Sequence, residues 1–145
     1  MEGMDADDGA RGEEGIVPPS SEPLAGRLLV ATPGVLEDDT FRRTVVLVIE
    51  HSTSGALGVV LNRPTGFPVE EPFPGWDAVC ADPPALFLGG PVQQSMIIAL
   101  GRLREGAEPD TGFQQVMELT QDGGRLGTVD LTQSAWDLGT AFEAL

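Results

Sequence analysis

One run, Arg43-Thr44-Val45-Val46-Leu47-Val48-Ile49-Glu50-His51, constrains the fold of this chain more than any other segment. Its centre is β-branched or leucine at every position, and such side chains suit a pleated, buried backbone. Without polar alternation the strand is expected to be covered on both faces and central in its sheet. Ser52-Thr53-Ser54 then offers a turn, and Gly55-Ala56-Leu57-Gly58-Val59-Val60-Leu61-Asn62-Arg63 reads as the returning strand. A three-residue loop closed by a glycine is a common hairpin geometry. It places His51 opposite Gly55, Thr44 opposite Asn62 and Arg43 opposite Arg63. Gly58 in mid-strand marks a bulge or the close approach of another backbone.

Turn residues divide the rest into short elements. Residues 26–32 form a strand stopped by Pro33-Gly34, and residues 35–40 a loop centred on Glu37-Asp38-Asp39. Pro64 ends the hairpin. The proline- and acid-rich stretch to Pro84 is anchored by Trp76 and Cys80, with a short helix around residues 76–80. Residues 85–88 are a strand ended by Gly89-Gly90-Pro91, and residues 95–100 another. Residues 116–120 and 126–131 bracket the turn Gln121-Asp122-Gly123-Gly124. Ser134-Ala135-Trp136-Asp137 has the spacing of a helix-opening cap, and Ala135, Leu138, Phe142 and Leu145 share one helical face.

The length fits one domain of about 100–150 residues. Hydrophobic residues make up 41% and charged residues 21%, a globular balance. Residues 1–21 differ: they are acidic, glycine-rich and poor in large apolar side chains, so a disordered acidic tail is expected there and a single domain over 22–145. No stretch approaches the roughly 20 apolar residues of a membrane span. Met1-Glu2-Gly3-Met4-Asp5 does not open a cleaved secretion signal, and the single cysteine, Cys80, suits a reducing compartment. A cytoplasmic protein with no membrane contact is expected. The formal net charge is −15 and every basic residue is an arginine. Such a field repels polyanions, so direct nucleic-acid binding is not expected, although Arg42, Arg43 and Arg63 are placed to form a local basic patch.

Few constellations for chemistry stand out. Phosphate loops, dinucleotide fingerprints, nucleophile elbows and metal-ligand spacings are missing from the sequence, and neither metal nor cofactor is expected. Glu50 and His51, at the end of the central strand, are the catalytic candidates. Adjacent strand positions point to opposite faces, so they form no dyad with each other. His51 is either a general base or a strand-end histidine bonded to a nearby carbonyl or carboxylate. Cys80 is either a partner for His51 or a small buried hydrophobe. Asn62-Arg63, with Thr44 and Arg43 opposite, forms the second group. Two facing arginines require something negative between them, either Glu37, Asp38 or Asp39, or a small bound anion. Gly89-Gly90 is the third, since its amides are free to approach an anion or simply to turn the chain.

Together, Leu28-Leu29-Val30-Ala31-Thr32-Pro33, Asp39-Thr40-Phe41-Arg42-Arg43-Thr44-Val45, Glu50-His51, Gly55 through Pro64, and Leu88-Gly89-Gly90-Pro91-Val92 resemble the YqgE/AlgH family of bacterial proteins, in order and spacing, across residues 24–131. The resemblance implies an α+β fold: a compact domain of coiled, branching, mostly antiparallel β-sheet with a few peripheral helices. It implies a cytosolic location and lends weight to His51, Asn62, Arg63 and the Gly89-Gly90-Pro91 turn. It implies no particular reaction; members are named as transcriptional regulators from a link to alginate control. The family continues past the position of Val129-Asp130-Leu131 into a glycine- and tryptophan-rich segment, whereas this sequence ends Ala141-Phe142-Glu143-Ala144-Leu145. An apolar sheet edge is therefore expected, covered by a partner or by the last helix.

These features point to a non-catalytic regulatory or binding module. Arg43, Thr44, Asn62, Arg63, Gly89 and Gly90 form its candidate site, and a protein partner or a small anion is its ligand. The alternative is a small enzyme that uses His51 as acid–base and Arg43 and Arg63 to hold an anionic substrate.

Overall fold

A computed structural model describes residues 23–34, 39–108, 112–132 and 142–143. The expected disordered tail and the helix cap at Ser134–Asp137 lie outside them. The architecture is mostly antiparallel β, in three ladders. Strands β1 (Leu28–Val30), β2 (Val45–Ser52) and β3 (Gly55–Val60) pair in that order. Strands β4 (Pro64–Pro68) and β5 (Ala85–Phe87) form a two-stranded sheet. Strands β6 (Ala99–Leu103), β7 (Phe113–Glu118), β8 (Arg125–Val129) and β9 (Phe142–Glu143) pair in the order β7-β8-β6-β9. The peripheral helices of the expected α+β class reduce, among the described residues, to two 3-10 turns, Asp39–Phe41 and Trp76–Ala78.

The central-strand expectation is met by β2, which lies between β1 and β3 and buries the consecutive residues Leu47, Val48 and Ile49. The hairpin register is met in part. Val46 pairs with Val60, Leu47 with Val59 and Val48 with Gly58, as a three-residue loop requires. Nearer the turn Ser52 pairs with Gly55 and His51 with Ala56, not Gly55, because the loop is only Thr53-Ser54. The extra residue is absorbed by a bulge at Ile49, between Val48 and Glu50. The Ser52 hydroxyl, which accepts the Ser54 amide at 3.2 Å, holds the tighter turn. Gly58 opposes the bulge: a Cβ there would lie 2.9 Å from Val46 Cγ1 and 3.1 Å from the Leu47 carbonyl oxygen.

Three other expectations are corrected. Residues 64–68 are a strand, not loop, because their pairing with β5 needs only their ends, Pro64 with Phe87 and Pro68 with Ala85, and Thr65 Oγ1 donates to the Leu86 carbonyl at 2.6 Å. The strand expected over 95–100 begins at Ala99, because Gln93 takes φ +50° and Met96 N closes a turn on its carbonyl at 2.9 Å. Phe142 and Glu143, expected on a helix, pair as a strand with Leu103 and Arg102, using backbone groups that β6 otherwise leaves open. On the first sheet Leu47, Val48, Ile49 and Val60 are buried. A hydrophobic cluster joins Leu103 and Val129, with Trp76, Ala99 and Phe113 against them.

Candidate functional site

The start of β2 is built by bonds that reach outside the ladder. After the 3-10 turn at Asp39–Phe41, Thr44 is buried and its Oγ1 donates to the Phe41 carbonyl at 2.7 Å. The Thr44 carbonyl accepts the Ala31 amide at 3.0 Å. Asn62 then replaces a strand with its side chain. Its Oδ1 accepts the Val45 amide at 3.0 Å and its Nδ2 donates to the Arg43 carbonyl at 2.8 Å, one group on each side of Thr44. Between the Thr44 anchor and this bracket, Arg43 adopts φ +55°, in the left-handed region that costs a side-chain-bearing residue about 1–2 kcal/mol.

The same bonding network gathers the rest of the set. Arg63, half-buried, donates from Nη2 to the Arg42 carbonyl at 3.3 Å, and its own carbonyl accepts the Leu88 amide at 2.9 Å. The Gly89 carbonyl accepts the Val60 amide at 2.8 Å. Gly90 follows at φ +151°, a backbone conformation open to glycine. Thus hydrogen bonds bring Asn62 and Arg63 against residues 42–45, while Gly89 and Gly90 run along the other edge of β3, beside Val60. Their roles divide. Thr44 and Asn62 spend their polar atoms on the backbone, whereas Arg43 projects an exposed guanidinium. The expected internal counter-charge is Asp39, but it meets Arg42, at 3.4 Å with both side chains exposed, and not Arg43. Glu37 and Asp38 lie outside the described residues. Arg42 was placed in the patch by sequence alone; its partner Asp39 was one of three equivalent acids.

The catalytic candidates sit elsewhere. His51 is half-buried and its Nδ1 accepts the Leu24 amide at 3.1 Å, so the neutral ring carries its proton on Nε2. Seven residues of strand at about 3.3 Å each put it on the order of 20 Å from Thr44. Glu50, exposed, forms part of the wall of a cleft of about 390 Å³ between the first and third sheets, with Ile49, Leu57, Met96, Ile97 and Asp130. His51 is not part of that wall. Burial pushes the Cys80 thiol up, and the Asp77 charge adds to it, so the protonated thiol is favoured over a nucleophilic thiolate. Among the described residues no group of three or more His, Cys, Asp or Glu is placed to hold a metal ion, and no helix is long and apolar enough to cross a membrane.

Comparison with known proteins agrees with the pattern of motifs. Residues 28–140 match a family model described as AlgH-like. A UPF0301 protein of Mycobacterium tuberculosis is 39% identical over 133 residues, covering 92% of this chain and 63% of its own length. A UPF0301 protein of Mycobacterium leprae is 42% identical over 119 residues, covering 82% of this chain and 56% of its own. The crystal structure of a Corynebacterium diphtheriae protein superposes with a TM-score of 0.75 at 26% identity, over 92% of this chain and 66% of that one. The chain therefore spans less than two thirds of the length of these curated relatives.

Proposed function

This chain belongs to the AlgH-like family, and we propose that it is a non-catalytic binding module that holds an anionic group of its partner at the start of β2. Arg43 and the remaining N–H groups of Arg63 receive the anion. The regulatory role of the family's naming follows from such binding acting indirectly, in the cytoplasm, on a partner that contacts DNA itself. One observation supports this reading: Arg43 is kept at φ +55° by a buried threonine and a two-bonded asparagine, and it presents an exposed guanidinium that forms no ion pair among the described residues of a chain of net charge −15. Strain of this kind persists only where surrounding structure over-determines it, and it concentrates at functional sites.

The test is a titration of the labelled protein with phosphate and with simple carboxylates, followed through backbone amides and arginine side chains. Shifts are expected at Arg43 and Arg63, and their loss in folded Arg63→Ala. A parent protein indifferent to every anion, or an Arg63→Ala protein that responds like the parent, overturns the site. The alternative enzyme draws no support from the separation between His51 and the arginines.

A further inference from the structure

The cleft between the first and third sheets combines apolar walls with negative charge. From the first sheet it takes Ile49, Glu50 and Leu57, and from the other side Met96, Ile97 and Asp130. Its volume, about 390 Å³, lies in the range of small-molecule pockets. The β2 bulge falls on this wall, at Ile49, and bulges re-aim side chains beside binding sites. Met96 and Ile97 are 46% and 45% exposed, so the fold leaves an apolar rim open to an occupant, and the methionine can adapt its shape to one.

The charged groups of the wall are all negative. Glu50 is exposed and makes neither an ion pair nor a side-chain hydrogen bond among the described residues. Asp130 accepts the Thr132 amide and hydroxyl on Oδ1, at 2.9 and 2.8 Å, which holds its carboxyl below the usual carboxylate range and leaves Oδ2 for a ligand. Among the described residues no arginine borders the cleft. The net charge of −15 adds attraction for any cation that approaches. A divalent metal ion is a poor match, because it needs a shell of oxygens, and among the described residues no three carboxylate, histidine or cysteine groups converge. We infer that this cleft binds a small organic cation, its ammonium group met by Glu50 and Asp130 and its apolar body lying against Ile49, Leu57 and Ile97. The site lies toward the opposite end of β2 from Arg43 and does not rest on the anion-binding reading.

The test titrates the full chain with n-hexylammonium, with hexan-1-ol as its neutral counterpart and with hexanoate as the anion, followed through backbone amides. Hexylammonium should shift Glu50, Leu57, Ile97 and Asp130 and saturate. It should bind roughly tenfold more tightly than hexanol, the preference expected of two exposed charge contacts, and hexanoate should leave these amides unmoved. Glu50→Gln alters a side chain that holds nothing else among the described residues, so the protein should fold, bind hexylammonium about threefold more weakly and keep its affinity for hexanol. Asp130→Asn should do the same, since its Oδ1 still accepts the Thr132 bonds. Equal affinity for hexylammonium and hexanol overturns the inference, as does a folded protein with both substitutions that binds hexylammonium like the parent. Methylammonium giving the same shifts at the same concentration overturns it in favour of a diffuse charge effect, and calcium doing so overturns it in favour of a metal. A lysine-bearing peptide that moves these amides at lower concentration than hexylammonium overturns the small-molecule occupant in favour of a partner's side chain. Phosphate shifts at Arg43 and Arg63 should persist in Glu50→Gln, so the two readings fail separately.

Discussion

Replacing Asn62 tests whether one side chain sets the start of the central strand. Asn62→Ala removes two hydrogen bonds, to the Val45 amide and the Arg43 carbonyl, each with a net value of about 0.5–1.5 kcal/mol. Both bonds are exposed, so water takes the freed groups and no buried orphan penalty is added. The loss is thus about 2 kcal/mol; with Thr44 still anchored, Arg43 sheds about half of its 1–2 kcal/mol of left-handed strain, which leaves a net of about 1–1.5 kcal/mol. With a urea slope of about 1.5 kcal/mol/M the unfolding midpoint falls by about 0.7–1.0 M at unchanged slope. Asn62→Asp keeps the Val45 bond but sets an oxygen against the Arg43 carbonyl, and should fall between parent and alanine. Amide exchange adds a local readout, since Val45 should lose protection in Asn62→Ala and keep it in Asn62→Asp. Adding Arg43→Gly to Asn62→Ala should gain less than adding it to the parent, because part of the strain it relieves is already gone. A midpoint within about 0.2 M of the parent, together with an unchanged Val45 amide, refutes the bracket and the strain argument with it.

The remaining predictions concern other positions. Arg43→Gly relieves about 1–2 kcal/mol of left-handed strain and loses about 0.4–1 kcal/mol to the freer unfolded chain, so thermal unfolding should rise by a few degrees at most while anion shifts vanish. A clear fall in stability counts against strain at Arg43. Gly58→Ala forces a methyl to 2.9 Å from Val46 and 3.1 Å from the Leu47 carbonyl, and should cost about 1–3 kcal/mol in denaturant unfolding. The neutral His51 ring should show the Nε2–H tautomer in its nitrogen chemical shifts, and Leu24→Pro, which deletes the donor to Nδ1, should release that preference. The Thr132 amide and hydroxyl hold the Asp130 carboxyl below the usual carboxylate range. Its contribution is present above the ordinary carboxylate pKa and is lost as pH falls through the lowered folded value. Thr132→Ala, which keeps the amide and drops the hydroxyl, should move the Asp130 titration part of the way back up, as read by carbon NMR.

How much was legible follows from how local each signal is. The β2–β3 hairpin is nearest-neighbour information: an apolar β-branched run, a polar turn and a glycine-led return, with the far register correct from Val46 to Val48. The slip near the turn was not legible, because a two-residue loop plus a bulge and a three-residue loop without one give the same pairing beyond Ile49. β4 was missed because two prolines argue against a strand, and only its pairing with a strand some twenty residues later makes their missing donors harmless. Phe142 and Glu143 fit a helical face by periodicity, but β6 offers them backbone partners. At the site, the residue types were legible and the division of labour was not. Asn62 looked like a ligand group and is a surrogate strand; Thr44 looked exposed to ligand and is buried.

By itself, then, the order of side chains determined the central strand, its hairpin partner and the net negative charge. Those depend on residue chemistry and on contacts a few positions apart, where chain geometry leaves few alternatives. Only the tertiary structure decided that Arg43 is strained and exposed, that His51 lies far from it, and that Glu50 and Asp130 border one cleft. Each of these depends on which backbone groups find partners across long separations, and that is settled when the ladders close around one another.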